Sequence, residues 1–323
     1  MKYDVVIVGA GPGGIFSAYE LVKMNPSLKI VVLAAGNPAA RNSSIGMCLS
    51  MKPGNPLDKR KCPIDGKKIK SCIGCKPCSI MNGFGGAGAF SDGKYNITNQ
   101  FGGTLYEYIG KEEALDLMHY VDEINLRYGG EGTKLYSTAN SEIKKQCLQH
   151  GLTLLDASVR HLGTDINYVV LENLYNDLKD KVDFKFRAVA QKVEKTDNTY
   201  IVNTEDGESY EADTCVISVG RSGSKWMESV CDDLKIPSKS NRVDIGVRVE
   251  LPYEIFSHLT DELYESKIVY RTTKYEDLVR TFCMNPKGAV VNENTNGIVT
   301  VNGHSYNDPA FEKEIKKRQR SEE

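Results

Sequence analysis

The chain has 323 residues, enough to bury a large core as two domains or as one domain with a big insertion. Its 41 Lys and Arg against 43 Asp and Glu leave a net charge of −2, which argues against a nucleic-acid surface. No apolar run approaches the roughly 20 residues of a membrane span, and the short basic stretches Lys67-Lys68-Ile69-Lys70 and Lys316-Lys317-Arg318 read as solvated surface.

Tyr3 to Val8 reads as a buried strand, and Gly9-Ala10-Gly11-Pro12-Gly13-Gly14 follows at once, satisfying G-x-G-x-x-G. Ile15 to Met24 is apolar-periodic and predicts a helix, and Lys29 to Leu33 a second strand. The fingerprint alone is a weak signal; strand before, helix after and second strand in place make it a dinucleotide-binding unit. Gly9 permits the tight turn, Gly11 lets backbone approach a pyrophosphate, and Gly14 lets helix and strand pack closely. With Pro12 and Gly13 these residues open a helix whose amides and dipole favour phosphate. An acidic residue should end the second strand and hold the adenosine ribose, but Ala34-Ala35-Gly36 stands there. Strand 1 begins at residue 3, so no signal peptide fits before it and a cytoplasmic location is expected. The nine cysteines are then expected to be buried, metal-bound or reactive rather than disulfide-bonded.

Residues 37–82 are rich in Pro, Gly, Lys and Cys without a sustained period and read as a long excursion. Within it, Cys62, Cys72, Cys75 and Cys78 suit tetrahedral zinc or a 4Fe–4S cluster, with independent thiols or a redox-active pair as the other readings. Residues 83–94 form a second glycine-rich loop. Helical patterns follow at Lys111–Tyr128, Ser141–His150 and Asn167–Lys179, with a short strand at Thr153–Asp156. From Val182 the pattern turns to strands: Val182–Arg187, Ala190–Thr196, Thr199–Thr204, Glu208–Glu211 and Thr214–Val219, the last ending in Gly220-Arg221-Ser222-Gly223. Val243–Leu251 and Ile298–Val301 predict further strands, and Phe311–Glu323 a charged helix. Cys147, Cys215, Cys231 and Cys283 sit in apolar or helical surroundings and read as core. His161 and His304 are candidate active-site histidines, with a hydrogen-bonded structural role as the alternative.

A Rossmann opening, a long excursion, a β-meander and an apolar strand closing on Gly220 resemble the FAD-binding fold of the glutathione-reductase type. Cys62-Pro63, the cysteines to Cys78, Gly83–Lys94, Phe101-Gly102-Gly103, Arg160–Asp165, Gly220–Gly223, Phe282-Cys283-Met284 and Asn302–Ser305 carry a more specific resemblance. Together they resemble an uncharacterised family of FAD-dependent dehydrogenases or oxidoreductases. That resemblance implies an α/β fold: a Rossmann-like, three-layer FAD/NAD(P)-binding domain of parallel sheet plus β-meander, with a second α+β substrate domain. It assigns residues 1–36 and 160–223 to the FAD domain, 37–110 to the Cys-rich excursion and flavin-facing loop, 111–159 to a helical segment and 224–323 to an incomplete substrate or cap domain.

It further implies that Gly9, Gly11 and Gly14 hold the pyrophosphate and that Val189 and Ala190 touch the adenine. Gly85, Gly86, Ala87, Gly88 and Ala89 would approach the flavin, with Ser91 and Lys94 donating to its carbonyl edge. Lys94 reads equally as a surface lysine. The expected function is an FAD-dependent oxidoreductase passing hydride through flavin N5, acting with a small-molecule substrate or redox partner and with NAD(P)H as a possible donor. No late Gly-Asp segment is found, so a C-terminally truncated or atypical member is expected. Two alternatives stand beside this: an NADP-dependent reductase, in which Ala34-Ala35 with Arg41 takes the 2′-phosphate, and a non-catalytic nucleotide- or metal-binding remnant.

Overall fold

The computed structural model describes residues 2–36, 81–91, 93–139, 141–240, 243–295 and 298–304. The chain opens with β1 (Lys2–Val8), α1 (Pro12–Met24), β2 (Ile30–Ala34), a 3-10 turn (Gly86–Phe90) and β3 (Lys94–Ile97). It continues through α2 (Tyr106–Ile109), α3 (Lys111–Asn125), β4 (Leu135–Ser137), α4 (Glu142–Gln149), β5 (Thr153–Leu154), β6 (Ser158–His161) and α5 (Gly163–Leu178). Next come β7 (Asp183–Phe186), β8 (Ala190–Lys195), β9 (Tyr200–Thr204), β10 (Ser209–Ile217), α6 (Ser224–Asp233) and α7 (Tyr253–Leu263). The strands β11 (Ile268–Arg271), β12 (Leu278–Arg280), β13 (Ala289–Thr295) and β14 (Ile298–His304) complete the order. Two compact units result: Met1–Phe90 with Leu171–Ile245 and Asn294–Ile298, and Ser91–Val170 with Gly246–Glu293 and Val299–Glu323.

The first unit is an α/β Rossmann-like fold around one sheet of order β7-β2-β1-β10-β9-β8. The strands β7, β2, β1 and β10 run parallel, and β9 and β8 add antiparallel at one edge. All five residues of β2 are buried, as a strand covered on both faces and flanked on both sides requires. Helix α1 starts at Pro12, where a missing N–H costs nothing, and buries Gly14, Ile15, Ala18, Tyr19 and Val22 along one side. Alternate residues Val6, Val8, Val31, Leu33, Val202, Tyr210 and Ala212 make a core that Val230 and Trp226 of α6 complete.

Two strands expected from the sequence, Glu208–Glu211 and Thr214–Val219, are one. Glu211 of β10 pairs with Ile201 of β9 on one edge and with Lys2 of β1 on the other. The antiparallel strands therefore continue the parallel sheet, hydrogen-bonded through β10.

The second unit is α+β. It holds the antiparallel sheet β3-β6-β4, the sheet β12-β11-β5 and, mostly within this unit, the hairpin β13-β14. Its apolar cluster joins Ile143 and Cys147 of α4, Leu154 of β5 and Leu259 and Leu263 of α7. Helix α3 stops at Asn125 rather than Tyr128, because the chain passes into a π turn, Leu126–Gly130, with Gly129 at φ 127°. The expected strand Val243–Leu251 does not form: these residues join no ladder, and their apolar side chains stay exposed. A strand needs a neighbour to pair its backbone and cover its apolar face, and none of the described residues supplies one.

Candidate functional site

At the carboxyl ends of β1 and β10 the first unit builds a cradle almost wholly from backbone. Gly9 has φ +111°, and a Cβ there would sit on the Ser218 carbonyl oxygen. A Cβ on Gly14 would sit on the Gly9 carbonyl, and one on Gly13 would strike the Ser218 hydroxyl. Ser218, directly after β10, donates its amide to the Val8 carbonyl at 2.8 Å and so closes the turn from the side of β10. Sequence reasoning placed Ser218 inside the strand Thr214–Val219 and gave it no role at the site; β10 ends one residue earlier, at Ile217, and leaves Ser218 in the turn.

The loop expected to face a flavin packs on this turn. The Gly85 amide donates to the Ala10 carbonyl at 2.8 Å, and the Ala89 amide to the Gly85 carbonyl at 3.1 Å. A Cβ on Gly86 would lie 3.0 Å from the Gly11 Cα, and one on Gly88 3.3 Å from the Pro12 ring. Phe84 anchors the loop, edge-on to Tyr175 at 5.1 Å and to Phe184 at 5.7 Å. Ala87 is exposed, Ala89 buried, and Ser222 donates to Asn82 at 3.0 Å where the loop begins.

Gly11 stands apart from its neighbours. It caps α1 at φ −78°, open to any residue, and a Cβ would find its nearest neighbour at 3.9 Å. Neither backbone strain nor packing explains a glycine there. Pro12 has no N–H, so the donors at the helix start are the Gly13 and Gly14 amides; no side chain caps them, and no acidic residue sits in the first turn.

Ala34 is buried at the end of β2, and its carbonyl accepts from the Ala188 amide at 3.1 Å. The expected ribose and adenine positions are thereby brought together, with the Val189 carbonyl accepting from Glu205 at 2.9 Å just before β8 opens at Ala190. Gly220, at φ +63°, and Arg221 are exposed at the start of a 3-10 turn. Burial pushes the Cys215 thiol up to about 11, so it stays protonated. A surface hollow of about 510 Å³, lined by Tyr3, Lys29, Tyr175, Lys181 and Asp183, lies at the amino ends of β1, β2 and β7, opposite the glycines. Ligands of such sheets sit at the carboxyl ends, so the hollow is not the nucleotide site. Arg41, Cys62, Cys72, Cys75 and Cys78 lie outside the described residues.

In the second unit Lys94 is no surface lysine. Its ammonium lies 2.7 Å from the Glu265 carboxylate and 2.8 Å from the Met284 carbonyl. Lys267 reaches the other oxygen of Glu265 at 2.7 Å, and both Glu265 and Lys267 are buried. Burial pushes the Glu265 carboxyl up, but Lys94 and Lys267 outweigh it and hold it below the usual carboxylate range. Beside them His161 Nε2 and the Tyr264 hydroxyl are 2.7 Å apart, with the two rings stacked. Tyr264 sits at φ 57°, ψ −54°, while the Glu265 amide donates to the Leu263 carbonyl at 2.6 Å, a strained positive-φ γ-turn. Arg160 grips Asp122 through two nitrogens at 2.5 and 2.8 Å. Ser91, half-buried, accepts from the Gly93 amide at 3.3 Å. His304 ends β14, and its side chain lies outside the described residues. Glu265, Lys267 and Tyr264 escaped sequence reasoning, though Phe256, Leu259 and Leu263 at helical spacing could have signalled α7 just before them.

Among the described residues no helix is long and apolar enough to cross a membrane, and no cluster of three metal-ligating side chains occurs. No protein-family model matches the chain, and no curated protein matches it significantly. Among solved structures it is similar to glycine oxidase from Geobacillus kaustophilus, at 12% identity and TM-score 0.39, covering 73% of this chain and 59% of that one. It is similar to L-amino acid deaminase from Proteus vulgaris at 18% identity and TM-score 0.31, covering 73% and 50%. A cyclohexanone monooxygenase mutant from Rhodococcus sp. Phi1, bound to NADP+, matches at 18% identity and TM-score 0.30, covering 68% of this chain and 26% of that one. The chain therefore spans less than two thirds of each of these proteins.

Proposed function

We propose that the first unit binds FAD and that the chain is an FAD-dependent oxidoreductase acting on a small-molecule substrate. The observation that carries the nucleotide reading is Gly11. Gly9 and Gly14 are glycines because the fold leaves no room for a side chain, whereas at Gly11 the fold leaves room and imposes no special conformation. A close-lying ligand supplies the missing reason. The Gly13 and Gly14 amides would donate to its pyrophosphate, and the Gly85–Ala89 backbone would face its ring system. FAD, when bound, supplies a hydride acceptor at N5.

The cradle fits a pyrophosphate, but the ribose clamp is absent: buried, apolar Ala34 replaces the expected carboxylate. Losing one charged hydrogen bond costs about 1.5–3 kcal/mol, which weakens retention without preventing it. The same residue favours the second reading, an NADP-dependent reductase, because an acid at that position would repel a 2′-phosphate.

The test is a titration of purified chain with FAD and with NADP+, for wild type and Gly11→Ala. Flavin absorbance in the isolated protein, or uptake of added FAD, is expected. Gly11→Ala should melt within about 1 kcal/mol of wild type, since its Cβ has space, yet lose nucleotide affinity. A colourless protein that takes up no FAD from excess sinks the flavin reading. Tight NADP+ binding by that same sample would favour the reductase.

A further inference from the structure

We propose that the Ser218 hydroxyl is a phosphate ligand, a third donor that the end of β10 delivers to the start of α1 to hold the pyrophosphate of a dinucleotide; this rests on the nucleotide reading above and adds a residue to it. The backbone of Ser218 is fixed on two sides. Its amide donates to the Val8 carbonyl at 2.8 Å, and its carbonyl lies where a Gly9 Cβ would have to go. Its side-chain oxygen lies so close to Gly13 that a Cβ there would strike it, whereas the Ser218 Cβ stays 3.5 Å from that point. The hydroxyl is therefore the part of the side chain turned toward the helix start.

Two features make this hydroxyl more than filling. The first is that packing does not require it. Gly13 is not among the positive-φ glycines, so its backbone accepts an alanine. Alanines at 13 and 218 would leave two Cβ atoms 3.5 Å apart, an ordinary contact. The pair Gly13 and Ser218 forgoes that simpler filling and keeps an oxygen at the turn instead. Ser218 is half-buried, and among the described residues its hydroxyl has no hydrogen-bond partner. The second feature is a shortage of donors. Pro12 has no N–H, the Ile15 amide already donates to the Gly11 carbonyl at 2.9 Å, and no side chain caps the helix, which leaves the Gly13 and Gly14 amides. A pyrophosphate carries non-bridging oxygens and negative charge on both phosphorus atoms. A serine hydroxyl can donate one hydrogen bond to such an oxygen, and a charged acceptor makes that bond stronger than a neutral one would. Residues 9–14 and 218 all belong to the first unit, so the contact is built within one compact body.

The experiment is calorimetric titration of the full chain with FAD and with ADP, for wild type, Ser218→Ala and the double variant Gly13→Ala with Ser218→Ala. ADP carries the adenosine and paired phosphates that FAD and NADP+ have in common, so its arm reads the phosphate contact whichever dinucleotide the chain prefers. Ser218→Ala should weaken both ligands by the same factor, about tenfold. Without ligand it should melt close to wild type, because both backbone contacts remain. The double variant refills the turn but has no hydroxyl, so it should bind as weakly as Ser218→Ala. Recovered affinity in the double variant would show that filling, not donation, had been lost, and would overturn the proposal. Loss with FAD but not with ADP would put the hydroxyl on the ribityl chain or the ring and overturn the phosphate contact. Unchanged affinity in Ser218→Ala would overturn it as well, while leaving nucleotide binding intact. A wild type that takes up neither FAD nor ADP would remove this inference and the nucleotide reading together.

Discussion

The glycine cradle of the first unit and the ion cluster of the second are built from opposite materials. The cradle is made of absent side chains: Gly9, Gly13 and Gly14 leave space that the Ser218 and Gly9 backbones and the Ser218 hydroxyl occupy. The cluster is made of long charged side chains, Lys94, Glu265 and Lys267, removed from water and balanced against one another. Backbone-built sites tolerate almost no added atom, while charge-built sites tolerate almost no lost partner.

The largest expected effect tests the second half of that contrast. Glu265→Gln leaves two ammonium groups without their counter-charge in a buried site, which should cost about 3–5 kcal/mol, read as a lower denaturation midpoint at unchanged slope. Replacing Lys94, Glu265 and Lys267 together by apolar residues should cost less than the single change; an equal or larger loss would show that the cluster adds net stability. The pH dependence has a defined sign. The folded Glu265 carboxyl lies below its ordinary value of 4.5, so its contribution is fully present above that pH and is lost as pH falls through the lower folded value. Wild type should weaken more steeply than Glu265→Gln on that acid limb, as followed by thermal melts.

The first half of the contrast is tested by adding one carbon. Gly9→Ala forces a Cβ onto the Ser218 carbonyl at a backbone φ of +111°, and should cost about 3 kcal/mol through strain and displacement together. Gly132→Ala is the control. Its φ is +82°, but a Cβ would meet nothing within 4 Å, so only the left-handed penalty of about 1–2 kcal/mol applies. Equal losses in urea denaturation would show that conformation, and not close approach, makes Gly9 a glycine.

The same contrast explains what was legible in the sequence. The cradle comes from local rules: a buried strand, three glycines at fixed offsets and a helix give β1, α1 and β2 almost residue for residue. The helix begins at Pro12 rather than Ile15 because glycines are acceptable in a first turn whose amides are left unpaired. The cluster comes from tertiary pairing. Lys94 and Glu265 stand 171 residues apart, and nothing near either one announces the other. The short strands β3 and β6 were invisible for the same reason: Lys94, Arg160 and His161 look like loop residues until their partners are known. Val243–Leu251 went the other way, a strand pattern read correctly as a pattern but left without a ladder inside the described chain.

Ala34→Glu brings the two kinds of construction into one place and carries the smallest expected effect. The position is 2% exposed, so a carboxylate there must either reach solvent or remain buried without a partner, and the unliganded protein should lose stability. FAD would offer that carboxylate ribose hydroxyls to accept from, worth about 1.5–3 kcal/mol, or ten- to a hundredfold in affinity. The variant should therefore melt lower than wild type alone and close the gap when FAD is added, because a ligand that binds only the folded state stabilises it by mass action. Differential scanning fluorimetry with and without FAD, beside a binding titration, checks both halves. Lower stability with no gain in affinity would mean that the end of β2 does not face the ribose, which would count against FAD more than against the pyrophosphate cradle.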